Sequence, residues 1–282
     1  MFKLSTFLGR QEDADRFKSL ADRYAASVDA NHFFPGPKGN KDGSGGGGET
    51  AKASVRNMAG YYDYGEDSGN RGRFRKHNVI QCKERGGEGR TVQTVKSCPA
   101  GYAPQWEIGD GRGGVLQREV LEVPAGGNKA GLVKHVGYVA LFPLLLKVLP
   151  ASSERLAAVL DMLESSLLTP WGIRSLAKGD LYFAKENGPG DAPYWRGPIW
   201  MPINYLAASA LHHYGNVPGP SQEQASRLYA KLRKGLVSNV MKEYQRTGYL
   251  WEQYNDGNGA GQRSHPFTGW TALIVNIMAE KY

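Results

Sequence analysis

Residues 152–168 read SSERLAAVLDMLESSLL. Serine stands at the start, and Leu156, Val159, Leu160, Leu163 and Leu167 recur every three or four positions. That period places them on one face of a helix, with the charged residues on the other. Outward from this segment the pattern repeats. KHVGYVALFPLLLKVLP (134–150) is an apolar run that contains Pro143 and stops at Pro150. It is too short and too interrupted to span a bilayer, and reads as a buried helix. PINYLAASALHHYG (202–215) opens on proline and closes on glycine. SQEQASRLYAKLRKGLVSNVMKEYQRTG (221–248) starts with Ser221 and Gln224, spaced as a capping box, and stops at Gly248. FTGWTALIVNIMAEKY ends the chain. Helices follow one another from residue 134 to Tyr282, so the fold class expected is all-α. No repeat of fixed length marks a regular solenoid.

The first part of the chain differs. EDADRFKSLADRYAASVDANHF (12–33) places Phe17, Leu20, Tyr24 and Val28 on one helical face, and AGYYDYGE (59–66) reads as a short strand or turn. The tracts GPKGNKDGSGGGGET (36–50), KERGGEGR (83–90) and GDGRGG (109–114) are too poor in apolar residues to order themselves, and are expected to be flexible insertions. The division expected is therefore 1–133, glycine-rich, and 134–282, helical.

Composition bounds the function. The 282 residues carry a formal net charge of +8, but the basic residues are scattered rather than gathered into a run or stripe. That argues against nucleic acid as a partner. MFKLSTFLGR lacks the apolar stretch of a secretion signal, and no segment is expected to contact a membrane. Cys82 and Cys98 are the only cysteines; a disulfide and two free thiols are both open, and no metal-ligand spacing is present. No cofactor is implied.

Three loop segments between the helices combine aromatic rings with charged and amide side chains: TPWGIRSLAKGDLYF (169–183), APYWRGPIWMPINYL (192–206) and GYLWEQYNDGNGAGQRSHPFTGWTAL (248–273). Aromatic faces suit the C–H surface of a sugar ring, and Arg, Asp, Asn and Gln suit its hydroxyls. The alternative is aromatic packing within a helical core. Glu252, between Trp251 and Tyr254, is the sharpest candidate. Desolvation should raise its pKa unless donors hold the charge, and a poised carboxylate serves as general base toward water. Its structural alternative is a glutamate paired with Arg196, Arg174 or Arg263. Arg196 reads either as a clamp for a hydroxyl or as half of an interior ion pair. His265 reads as a ligand contact or a hydrogen-bonded structural histidine, and His212 and His213 as helix-end residues. The glycines of NDGNGAGQ follow no strand and precede no Lys-Ser/Thr pair, so they form a turn after the site loop and not a phosphate loop.

YWRGPIW…NYL, GYLWEQY and HPFTGWTALIVNIMAE, with HVGYVALFPLLL and TPWGIRSLA in the same order, resemble the C-terminal catalytic region of glycoside hydrolase family 63. The resemblance covers residues 134 to the end. It implies an (α/α)6 toroid and an inverting α-glucosidase that removes the terminal α-1,2-linked glucose from the N-glycan precursor. A glucosylated high-mannose N-glycan would be the partner, and the endoplasmic reticulum lumen the location. By its place in LWEQY, Glu252 matches the general base of the family. Trp195, Arg196 and Trp200 match its cleft-lining segment, and Trp251, Tyr254 and His265 are expected to hold substrate beside them. Inversion needs two carboxyl groups roughly 6.5–9.5 Å apart. The SGLDDYPR-type motif that bears the family's acid does not occur here; Asp63 and Asp180 lie in other contexts. Met201 and Pro202 depart from the family's usual residues after the cleft tryptophan. The resemblance therefore implies an incomplete, C-terminal portion of the toroid that carries the base. A binding-only carbohydrate module is the competing reading, and a trehalase-like or mannosylglycerate-hydrolysing relative stands behind both.

Overall fold

The computed structural model describes residues 6–7, 9–36, 58–66, 73–86, 91–94, 97–104, 115–122, 130–186 and 191–282. In chain order the elements are α1 (Gln11–His32), β1 (Phe33–Phe34), β2 (Gly60–Tyr61), β3 (Asp63–Glu66), β4 (Arg73–Glu84), β5 (Thr91–Thr94), β6 (Tyr102–Pro104), β7 (Val115–Glu122) and β8 (Ala130–Val133). There follow α2 (Tyr138–Leu145), α3 (Glu154–Met162), a π-helical turn (Leu163–Leu167), β9 (Leu168–Thr169), β10 (Gly172–Ile173), α4 (Met201–Gly215) and α5 (Gln222–Thr247). The chain closes with β11 (Gln253–Tyr254), β12 (Gly261–Gln262), a 3-10 turn (Trp270–Ala272) and α6 (Leu273–Met278). These fall into two compact units: Met1–Gly65 with Ala130–Tyr282, and Glu66–Lys129.

The helical unit follows the apolar pattern closely. Every residue of the stripe from Leu156 to Leu167 is buried in one hydrophobic cluster. Ser153 caps α3, its Oγ accepting the Arg155 N–H at 3.2 Å, which satisfies one of the donors left over at a helix start. α4 and α5, joined by a short loop, pack against each other, and both touch α6, while α2 lies against α4. α5 ends where Gly248 adopts the left-handed conformation at φ 77°, its N–H returning to the Tyr244 carbonyl at 2.7 Å. α2 is shorter than expected. It ends at Leu145, and Leu146 and Val148 lie exposed, because Lys147 turns the chain at φ 57° well before Pro150. Ser221 precedes α5 without a side-chain cap; Gln224 instead donates to Asp161 Oδ1 at 2.8 Å. On α1, Leu20 and Tyr24 of the expected apolar face are exposed, whereas Val28 packs against the core.

The Glu66–Lys129 unit corrects the all-α expectation for this part of the chain. β4 pairs antiparallel with β5, β6 and β7, and its register against β7 runs from Arg73↔Glu122 to Ile80↔Val115. The β4–β7 pairs are distant in sequence, and glycine-rich connections conceal the sheet in a local reading. Within KERGGEGR, Lys83 and Glu84 end β4 and Arg85–Gly86 form a turn. Cys82 and Cys98 are joined in a disulfide. The insertions expected at 37–50 and 109–114 lie outside the described residues. Among the described residues no helix is long and apolar enough to cross a membrane.

Candidate functional site

The three aromatic loop segments are laced together at Ile199. Its N–H donates to the Tyr254 carbonyl at 2.8 Å and its carbonyl accepts the Tyr254 N–H at 3.0 Å, while a second bridge joins it to Arg174. Behind this seam Asn204, fully buried on α4, ties the segments to the helices. Its Nδ2 donates to the Trp200 and Ile173 carbonyls at 2.8 and 3.0 Å, and its Oδ1 accepts the Ile173 N–H at 2.7 Å. The Tyr138 hydroxyl donates to the Ile173 carbonyl at 2.7 Å and accepts the Trp200 N–H at 3.1 Å. Buried polar groups in a closed network hold one geometry, since any other leaves donors unmet.

Glu252 sits on this scaffold, 7 % exposed. The Tyr194 hydroxyl donates a short hydrogen bond to Oε1, and the Ser264 N–H donates to Oε2 at 3.3 Å. The backbone is clamped as well: Glu252 N–H donates to the Ser264 carbonyl at 3.0 Å, and the Trp270 indole donates to the Glu252 carbonyl at 2.7 Å. Burial pushes the carboxyl pKa up, but hydrogen bonds from Tyr194 and Ser264, with the Arg263 charge nearby, push it down further. The balance lies below the ordinary glutamate value, so the carboxylate is ionised at neutral pH. Donors win over desolvation.

Around it the rings form a stepped wall. Trp195 stacks on Trp200 at 4.0 Å and 17°, and Tyr194 meets Trp200 edge-on at 4.5 Å. Trp200 is fully buried, whereas Trp195 remains 47 % exposed. Tyr194 thus links Glu252 to the Trp195–Trp200 stack. Trp200 and Tyr254 are buried members of the core cluster.

Arg196 takes another direction. It donates to the Glu186 carbonyl, lies 5.3 Å from the Tyr182 ring, and lines with Trp251 a separate cavity of about 610 Å³. His265 is exposed and lies against Trp251, ring centroids 3.9 Å apart and planes tilted by 33°. None of the three arginines forms an ion pair with Glu252 among the described residues: Arg174 approaches Asp256 at 3.4 Å, and Arg263 lies 4.5 Å over the Tyr194 ring. Asp180 is buried and accepts the Tyr182 N–H at 2.9 Å, with His135 Nδ1 at 2.9 Å from its other oxygen.

Sequence reasoning did not single out Tyr194, Ser264 and Trp270. Tyr194 stands beside Trp195 in a segment already marked, but its partner lies 58 residues away, and no local pattern links the two. The turn in NDGNGAGQ forms as expected: Asn255 Oδ1 accepts the N–H groups of Gly257 and Asn258. The described residues include no cluster with the makings of a metal site.

The sequence pattern of the glycosyl hydrolase family 63 C-terminal domain matches residues 104–280. A mannosyl-oligosaccharide glucosidase of Arabidopsis thaliana is 43% identical over 171 residues, 60% of this chain and 20% of that protein. A probable mannosyl-oligosaccharide glucosidase of Schizosaccharomyces pombe is 49% identical over 153 residues, 53% of this chain and 18% of that one. A solved structure of a family 63 mannosylglycerate hydrolase from Thermus thermophilus aligns with a TM-score of 0.36 at 20% identity, covering 58% of this chain and 34% of that one. The chain spans about a fifth of the length of the curated relatives it matches.

Proposed function

The chain belongs to glycosyl hydrolase family 63, and from that premise we propose that it supplies the general base of an inverting α-glucosidase acting on the terminal α-1,2-linked glucose of a glucosylated high-mannose N-glycan. One observation carries the reading: a carboxylate held ionised by two donors, one of them Tyr194, whose ring meets the half-exposed Trp195 edge-on at 6.1 Å. An ionised, positioned glutamate accepts a proton from water as that water attacks the anomeric carbon. Trp195 supports the apolar face of the sugar. Inversion also needs an acid across the ring, roughly 6.5–9.5 Å from the base; it is assigned to no residue of this chain. The helices α2–α6 are read as part of an (α/α)6 toroid. The lumen of the endoplasmic reticulum is the proposed location, a reading supported by the Cys82–Cys98 disulfide, a bond that persists in oxidising compartments.

The test is Glu252→Gln in the catalytically active protein. Glucose release should fall by roughly 10²- to 10⁴-fold, the usual weight of general base catalysis, with glycan binding retained. Undiminished release would remove Glu252 from the mechanism. Glycan binding with no release from either form would favour a carbohydrate-binding module instead.

A further inference from the structure

β11 and β12 present different chemistry on their two faces. Side chains alternate across a strand, so within β11 Tyr254 turns into the core and Gln253 to the opposite face. Gln253 is paired in register with Gln262, and paired residues share a face. Both line the cavity of about 610 Å³, together with Trp251, Asp256 and Phe183. Glu252 is not among its walls.

Three acceptors on residues lining this cavity are buried without a hydrogen-bonding partner: Gln253 Oε1, Gln262 Oε1 and Asp256 Oδ2. Gln253 is only 2 % exposed. A buried polar atom left unpaired costs on the order of 1–3 kcal/mol, so the two glutamine oxygens call for a partner that donates. Asp256 Oδ2 already faces the Arg174 guanidinium in an ion pair at 3.4 Å without a hydrogen bond between them, so a ligand hydroxyl would add to that pair. The size lies within the range of about 300–1,000 Å³ common to small-molecule sites. Two aromatic side chains and several acceptors fit a ligand with an apolar face and many O–H donors. A phosphate would find Arg196 and Arg263 in the same lining but offers few donors for the glutamine oxygens, and so serves as the competing probe.

The geometry points to a second saccharide site in this cavity, on the face of the β11–β12 hairpin opposite Tyr254, in which Gln253, Gln262 and Asp256 accept hydroxyl protons and Trp251 supports the ring. The inference is independent of the base assignment and shares with it only the chemistry of the ligand. The experiment is an NMR titration of the full 282-residue chain with methyl α-D-glucopyranoside, following the side-chain amides of Gln253 and Gln262 and the Trp251 indole, with inorganic phosphate as the second probe. Saturable shifts with the glucoside are expected. They should persist in Glu252→Gln, weaken at least about fivefold in Gln262→Leu, the scale of one lost hydrogen bond, and vanish in Ala192→Trp, which adds bulk at an exposed lining position. Because Ala192 is exposed, that variant keeps the test valid where Gln262→Leu fails to fold. No shift with the glucoside, shifts with phosphate alone, or shifts unchanged by Ala192→Trp would each overturn the site. Full activity of Glu252→Gln alongside a positive titration would sink the base assignment and leave this site standing.

Discussion

Glu252 takes its character from a contest between burial, which favours the protonated form, and hydrogen bonds, which favour the charged one. Tyr194 contributes the foremost of the donor effects, and its own pKa is raised in return, chiefly by that same hydrogen bond. Tyr194→Phe removes the donor and keeps the ring against Trp200. The carboxyl pKa should then rise, because burial remains and its main opponent is gone. For a general base, activity is lost as pH falls through that pKa, so the acid limb of kcat/KM should move to higher pH in the variant, while KM changes little. Profiles recorded between about pH 4 and 7, around and above the ordinary glutamate value of about 4.3, would show it; coincident profiles would mean that Tyr194 does not tune the base. Stability carries the same sign. A depressed carboxyl contributes stability above its unfolded pKa, and this is lost as pH falls through the folded value.

The helices and their ends decide whether that contest is staged at all. From inside α4, one Asn204 side chain meets the Ile173 N–H, the Ile173 and Trp200 carbonyls and the Tyr138 hydroxyl. Asn204→Ala strands the Ile173 N–H in the core and strips a donor from the Trp200 carbonyl and the Tyr138 oxygen. It should lower unfolding free energy by about 3 kcal/mol, readable as a reduced urea midpoint. At the end of α5, Gly248 holds φ 77° with open space where a Cβ would stand. Gly248→Ala should therefore cost only the backbone term, about 1 kcal/mol; a larger loss would mean that the turn into Leu250 and Glu252 is also disturbed. These elements show what local sequence conveys. The stripe of α3 and its Ser153 cap were readable because such partners lie within a turn or two of one another. The Ser221–Gln224 capping box was equally readable and did not form, since Gln224 found Asp161 on another helix. A tertiary partner displaced a local one.

At the scale of the molecule, the helical unit owes its stability to one continuous apolar cluster, whereas the Glu66–Lys129 unit is a small sheet around β4 with a disulfide. Small units bury a lower fraction of their surface and lean on cross-links. Cys82→Ser with Cys98→Ser should destabilise that unit by about 3 kcal/mol, the value for a loop of this length. Equilibrium unfolding followed by strand-specific hydrogen exchange would measure it, and protection unchanged across β4 would contradict it.

What the sequence determined by itself was whatever depends on near neighbours. The helical succession from residue 134, the turn after the site loop and the placing of Glu252 among rings were all present in periods and adjacent residues. Ordered motifs also carried the family. Tertiary structure alone decided the rest. The sheet of β4 with β7 and the joining of Cys82 to Cys98 depend on chain closure over glycine-rich connections. The partnership of Tyr194 with Glu252 and the seam at Ile199 depend on loops that meet only when α4 and α5 pack. The charge on Glu252 was the clearest case: sequence showed the burial that raises its pKa, and only the fold supplied the donors that reverse it.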